Sequence, residues 1–217
     1  MIRSELIPMS KSPIQLAVLI SGGGTTLQNL VDRIGDGSLN ARIAAVIGSR
    51  SGIKGIERAK NAGLACHVVE RGKYVSDAEF SRDVFKICVN ARVELVCLGG
   101  WLSLLEIPAA FSGRLMNVHP ALLPSFGGKG MYGRRVHQAV LDHGCKVSGC
   151  TVHFGDRTYD TGPIILQRTC PVLEEDTAES LAQRVFEEEM IAYPEAIRLF
   201  QDGRLRIEGR RVRIGSE

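Results

Sequence analysis

The chain of 217 residues is predicted to be an α/β protein, a doubly wound and mostly parallel sheet followed by a long C-terminal helix and a β-hairpin. Three observations predict this. Continuous apolar runs at residues 15–20, 42–47, 65–69 and 95–98 have the character of parallel strands buried on both faces, and stretches of helical period separate them. The first run passes straight into Ser21-Gly22-Gly23-Gly24-Thr25-Thr26 and then a helix, a strand, loop and helix unit. Residues 203–214 alternate basic and apolar side chains around Glu208-Gly209, as a hairpin does.

Taken in order, the strand at 15–20 leads to a helix with Leu27, Leu30, Val31 and Ile34 on one face. After the strand at 42–47, residues 53–62 form a short helix ended by Gly63. Beyond the strand at 65–69, residues 77–91 form an amphipathic helix with Phe80, Val84, Ile87 and Cys88 inward. The strand at 95–98 exits through Gly99-Gly100 into an apolar patch. Residues 114–119 form the next strand, which Pro120 stops because it cannot donate to a ladder. A glycine-dense loop, 125–133, runs over the surface to a helix at 134–142, whose inward residues are Val136, Ala139 and Val140, with His137 in a surface or capping role. Strands at 147–154 and 164–172 follow, and His153 is expected to be a satisfied core histidine. The long helix covers 177–200, capped by Asp176 or Thr177. Its Glu187-Glu188-Glu189 triplet reads as a solvated face.

Length supports one sizeable core. A net charge of +3 speaks against a nucleic-acid footprint or a polybasic membrane patch. No run approaches a membrane span, and residues 1–13 lack the apolar core of a secretory leader. The six cysteines show no CxxC pairing, so they read as reduced thiols of a cytoplasmic protein, not as metal ligands. No cluster has metal-ligand spacing.

Two stretches carry candidate chemistry. The loop of Gly23, Gly24, Thr25 and Thr26 stands at a helix N-terminus, where free N–H groups and the helix dipole favour an anion. It meets the dinucleotide pattern GxGxxG only in part, because Leu27 occupies the third glycine position, and it lacks the Gly-Lys-Ser/Thr ending of a P-loop. A plain glycine turn remains the alternative. Asn117 and His119, two apart on a strand, share a face at its carboxyl end. A carboxamide and an imidazole there can donate to one developing oxyanion and handle one proton. The alternative is a buried pair satisfied by backbone. Asp160 is either the carboxylate that supports His119 and raises its pKa or the aspartate of an ordinary Asx-turn.

In combination these segments are far more specific. Ser-Gly-Gly-Gly-Thr-Thr at 21–26, Asn-Val-His-Pro-Ala-Leu-Leu-Pro at 117–124 and Tyr-Asp-Thr-Gly-Pro-Ile-Ile-Leu-Gln at 159–167 closely resemble the folate-dependent phosphoribosylglycinamide formyltransferases of purine biosynthesis, from about residue 15 to the hairpin. The resemblance implies a Rossmann-like formyltransferase fold in a single domain, 1–217, with a phosphate-binding half at about 14–115 and a catalytic, folate-binding half at about 116–217. It implies transfer of the formyl group of 10-formyltetrahydrofolate to the amine of glycinamide ribonucleotide, without a metal, by a monomer or homodimer. Asn117, His119 and Asp160 fall on the family's catalytic trio. Gly23, Gly24, Thr25 and Thr26 fall on its phosphate loop, and Glu189 on the acid that contacts the ribose. Trp101, Leu102, Leu104 and Leu105, with Asp156 and Tyr159, fall on its folate pocket. Ser103 and Asp77 depart from the family pattern, each standing at or near a position where relatives carry a basic residue.

Within that superfamily the alternative is a formyltetrahydrofolate deformylase, which normally carries an N-terminal regulatory domain, whereas about a dozen residues precede the first strand here. A methionyl-tRNA formyltransferase would need a further C-terminal domain. Outside it stand an NADP-dependent reductase, for which Arg50 would meet a 2'-phosphate, and a non-catalytic nucleotide-binding module.

Overall fold

The structure is a computed structural model that describes residues 12–216. The reading of residues 1–13 as lacking a leader therefore falls almost wholly outside the described residues.

Among the described residues nine strands form one sheet, in the order β3-β2-β1-β4-β5-β6-β7-β9-β8. The first half is β1 (Ile14–Ile20), α1 (Thr25–Gly35), β2 (Ala41–Gly48), α2 (Lys54–Asn61), β3 (Cys66–Val68), α3 (Asp77–Asn90) and β4 (Leu95–Leu98). The second is β5 (Leu115–His119), α4 (Arg134–Asp142), β6 (Val147–Phe154), β7 (Ile164–Pro171), α5 (Ala178–Gln201), β8 (Leu205–Glu208) and β9 (Arg211–Ile214). From β3 through β2, β1 and β4 to β5 each neighbouring pair is parallel. At β6 the direction reverses, so that β5, β6 and β7 are antiparallel, and β9 returns to a parallel bridge with β7.

Burial on both faces follows from this layering. Along β1, Leu16, Val18 and Ile20 enter one core with Leu27 and Leu30 of α1 and Tyr193 of α5, whereas Ala17 and Leu19 enter the other with Phe80 and Val84 of α3. The sequence periodicity of α3 thus places its inward face correctly. That of α4 is right for Val136 and Val140, which are buried with Ala139 half-buried, but it misses His137, which is buried beside them. His137 is therefore a wall residue and not a surface or capping one, because its side chain lies one step round the helix from Val136 and Val140.

Two local devices fix the start of α5 and its break at Pro194. Thr177 is the N-cap, joined to Ser180 in a reciprocal capping box. Pro194 has no N–H to offer the Met190 carbonyl, and the Asn29 side chain of α1 donates to that carbonyl instead, at 3.3 Å. One residue before this proline, the fully buried Tyr193 hydroxyl lies 3.1 Å from the Leu98 carbonyl and 2.9 Å from the Met116 carbonyl. It fastens the carboxyl ends of β4 and β5 side by side, next to Asn117.

Candidate active site

A cleft of about 650 Å³ opens at the carboxyl ends of β1, β4 and β5, as the strand-end rule for open α/β sheets requires. Its floor is the loop 22–26. Gly24 has φ 70°, and a Cβ there would lie 2.6 Å from the Gly55 Cα. Glycine is thus required twice over, by conformation and by the close approach of α2. The Gly55 N–H donates to the Gly22 carbonyl at 3.1 Å, and Arg58 Nε donates to the Gly23 carbonyl at 2.9 Å. The first turn of α1 has neither a side-chain cap nor an acid, so its N–H groups are left to face a ligand. The adjoining 99–105 turn is hung from Ser21, whose hydroxyl accepts from the Leu102 N–H at 3.1 Å.

Asn117 and His119 meet Asp160 at the cleft wall, each at a different carboxylate oxygen. Asn117 Nδ2 donates to Asp160 Oδ1 at 3.3 Å and to His153 Nε2 at 3.2 Å. His153 Nδ1 in turn donates to the Phe154 carbonyl at 2.8 Å, which fixes its tautomer. Asp160 Oδ2 lies 3.5 Å from His119 Nδ1 and accepts from the Gly128 N–H at 2.9 Å. His119 Nε2 donates to the Phe126 carbonyl at 2.8 Å. Asp160 itself sits at φ 58°, a left-handed conformation that aspartate tolerates better than most side chains. Every hydrogen on the Asn117 amide and the His119 Nε2 therefore already has a protein acceptor, and the loop after β5 supplies one of them.

The electrostatics revise one expectation. Burial lowers the His119 pKa, and it outweighs the Asp160 charge and the Phe126 carbonyl, which raise it. The imidazole is thus held below its ordinary value, not above. Burial raises the Asp160 carboxyl, but contact with His153, the His119 charge and the Gly128 N–H together leave it below its ordinary value. His153 is satisfied, as expected, yet its Nε2 partner, Asn117, belongs to the cluster itself. Only the antiparallel register that sets His153 opposite Asn117 reveals this, and no sequence spacing encodes it.

Of the glutamate triplet, Glu187 is exposed and Glu188 pairs with Arg168 at 2.6 Å. Glu189 instead is half-buried in the cleft wall, where removal from water pushes its carboxyl up to about 8. The triplet is therefore not a uniformly solvated face. The residues proposed for folate divide. Trp101 is buried, stacked on Phe80 at 5.9 Å with its Nε1 unpartnered, and Leu105 is buried beside it. Leu102 is exposed, Asp156 is exposed, and the Tyr159 hydroxyl donates to the Leu102 carbonyl at 3.4 Å. A narrow apolar slot of about 50 Å³, walled by Leu104, Leu105, Ile107 and Leu115, ends on Asn117, His153 and Asp160. It adjoins a second cavity of about 730 Å³ whose charged residues are Asp77, Glu106, Asp156 and Arg157. Asp77 is engaged by Arg71 at 2.5 Å. Apolar walls closing on a polar end suit the edge of a flat heteroaromatic ring in chemistry, and the mainly acidic outer cavity offers an anionic tail only Arg157. Among the described residues no group of three or more His, Cys, Asp or Glu could hold a metal ion.

Comparison with known proteins gives these features a context. Residues 14–197 match the family described as formyl transferase. The crystal structure of glycinamide ribonucleotide transformylase 1 from Symbiobacterium toebii superposes with a TM-score of 0.88 at 45% identity, covering 94% of this chain and 95% of that one. The chloroplastic phosphoribosylglycinamide formyltransferase of Arabidopsis thaliana is 39% identical over 186 residues, 84% of this chain and 64% of its own length. The trifunctional purine biosynthetic protein adenosine-3 of Gallus gallus is 37% identical over 196 residues, 89% of this chain but 19% of its own length. The chain thus spans about a fifth of the trifunctional protein and just under two thirds of the plastid one.

Proposed function

The chain belongs to the formyl transferase family, and from that premise we propose that it transfers the formyl group of 10-formyltetrahydrofolate to the amine of glycinamide ribonucleotide. The observation that carries this reading is the single Asp160 carboxylate shared by Asn117, His119 and His153 in a cleft that also holds the glycine loop. Formyl transfer to an amine needs an anion anchor, oxyanion donors and a proton path within reach of one another, and needs no protein nucleophile.

The ribonucleotide phosphate rests on the backbone N–H groups of residues 23–26, and Glu189 meets the ribose. The folate ring enters by the slot beside Trp101, Leu104 and Leu105, and supplies the activated formyl group. Negative charge then develops on the formyl oxygen. Asn117 releases its long hydrogen bond to Asp160 and donates to that oxygen. His119, protonated on Nδ1 opposite Asp160, turns its Nε2–H from the Phe126 carbonyl to the same charge. Asp160 sustains the imidazolium, and a water held by Asp160 carries the amine proton towards the departing folate nitrogen. Asp160 draws the His119 pKa up against burial without restoring its ordinary value, so the imidazolium forms only as negative charge develops on the formyl oxygen.

One sheet through all nine strands supports treating the chain as a single catalytic unit. Six free thiols support a reducing, cytoplasmic setting, and no helix among the described residues is long and apolar enough to cross a membrane. The test follows deacylated folate by absorbance with and without glycinamide ribonucleotide. Turnover that requires the amine and is lost in His119→Ala is expected. Folate release without the amine would make the protein a hydrolase of the same donor.

A further inference from the structure

The first turn of α4 forms a wall of the same cleft, and the transfer mechanism leaves it unused. Gly133, Arg135 and His137 all line the cleft, as does Lys129 in the loop before them. The helix begins at Gly133 without a side-chain cap and has no acid in its first turn, which carries Arg134 and Arg135 instead. That is the reverse of the usual preference for acids at a helix N-terminus. Arg134 is engaged by Glu179 at 2.9 Å, and Arg135 lies over the Tyr132 ring at 5.3 Å. Among the described residues no hydrogen bond or ion pair engages Lys129.

His137 supplies a second and independent observation. It is 4% exposed, and its Nδ1 is buried with no partner. A buried N–H without an acceptor costs more than a buried lone pair, so the neutral ring carries its hydrogen on Nε2. Burial and the neighbouring His119 both hold the ring below its ordinary pKa and thus neutral. A neutral Nε2–H at the wall of a cleft, beside free helix N–H groups and two cations, is a donor set for an oxyanion. The acids lining the same cleft, Asp160 and Glu189, belong to other walls and leave this one positive.

We propose that the N-terminal turn of α4, through His137 Nε2–H with Lys129 and Arg135, is a second oxyanion-recognising wall of the cleft, and that it grips the phosphate monoester of the amine substrate from the side the glycine loop leaves open. This rests on the transferase reading for the identity of the ligand, but not for the chemistry of the wall. The probe is inorganic phosphate, titrated into the full chain labelled with ¹⁵N-histidine while the imidazole signals are read, alongside steady-state kinetics with glycinamide ribonucleotide.

Phosphate should shift the His137 ring. His137→Ala and Lys129→Ala should each weaken phosphate about tenfold, and raise KM for the ribonucleotide in step while kcat and KM for the formyl donor stay within about twofold. His137→Gln, which keeps an N–H donor near the Nε2 position, should recover most of the loss. Should His137→Ala not fold, the Gln and Lys129 variants carry the same comparison. Unchanged phosphate affinity in these variants, with binding abolished only by Gly24→Ala, would overturn the proposal. A chain that binds phosphate through His137 but transfers no formyl group would retain the wall and remove its assigned ligand.

Discussion

Replacing Asp160 by asparagine keeps the shape of the side chain and tolerates the φ of 58°, but it puts an NH₂ where one carboxylate oxygen accepted. Either orientation of the amide sets a donor against a donor, at the Gly128 N–H on one side or the Asn117 amide on the other. At 3.5 Å from His119 Nδ1, and with an effective dielectric of about 20, the lost attraction for an imidazolium is about 5 kcal/mol before water enters to offset part of it. A charge-assisted hydrogen bond lost outright is about 1.5–3 kcal/mol. Between these bounds, a barrier increase of about 2–4 kcal/mol corresponds to a fall in kcat of about 30-fold to 10³-fold. The assay is single-turnover formyl transfer at saturating concentrations of both substrates, with equilibrium binding of each measured separately. Binding should be nearly unchanged, because no substrate anchor is touched. An Asp160→Asn enzyme that keeps more than half of its kcat would refute the role assigned to the carboxylate.

Three further outcomes are expected. Gly24→Ala forces a Cβ into a left-handed residue and onto the Gly55 Cα, so thermal unfolding should show a loss of at least about 1–2 kcal/mol, with affinity for the ribonucleotide collapsing. Asp176, bonded by Arg184 at 2.6 Å and with its side chain only 3% exposed, has its carboxyl held well below its ordinary 3.8 chiefly by that guanidinium. Its contribution is whole above the ordinary value and is lost as pH falls through the lowered one, so urea melts of Asp176→Asn should show a deficit of about 1–3 kcal/mol at pH 7 that only begins to shrink as pH falls below about 4. Burial pushes the Cys88, Cys97 and Cys150 thiols up to about 12, so a thiol-disulfide reagent should reach them only after denaturant is added, and rapid labelling of all three in the native protein would contradict the packing.

The apolar runs that announce β1, β2 and β4 were legible because burial on both faces leaves a continuous signal, and the glycine loop was legible because its conformation demands glycine. The reversal at β6 was not. An apolar strand reads alike in either direction, so neither the Asn117 to His153 pairing nor the membership of His153 in the cluster could be derived from spacing. The Phe126 carbonyl and the Gly128 N–H are backbone groups, and any residue type would supply them, which hides the dependence of the site on the 125–133 loop. His137 was misplaced for a different reason: a polar side chain inside a nine-residue helix is assigned outward by periodicity, and only a cavity behind it makes the inward position tenable.

The contact between Gly24 and Gly55 separates two kinds of inheritance within one enzyme. The end of the cleft proposed for formyl transfer is written in side chains, so a change there is visible as a changed chemical group. The end proposed for the phosphate is written in the clearance between two backbones, and half of that clearance is stored on α2, in a residue absent from the lining of the cleft. A Cβ at Gly55 would lie 2.6 Å from Ile20 Cδ1 and 3.1 Å from the Gly22 carbonyl. A lineage could therefore lose its anion site while every residue of the 22–26 loop stayed the same, through one methyl group on a neighbouring helix.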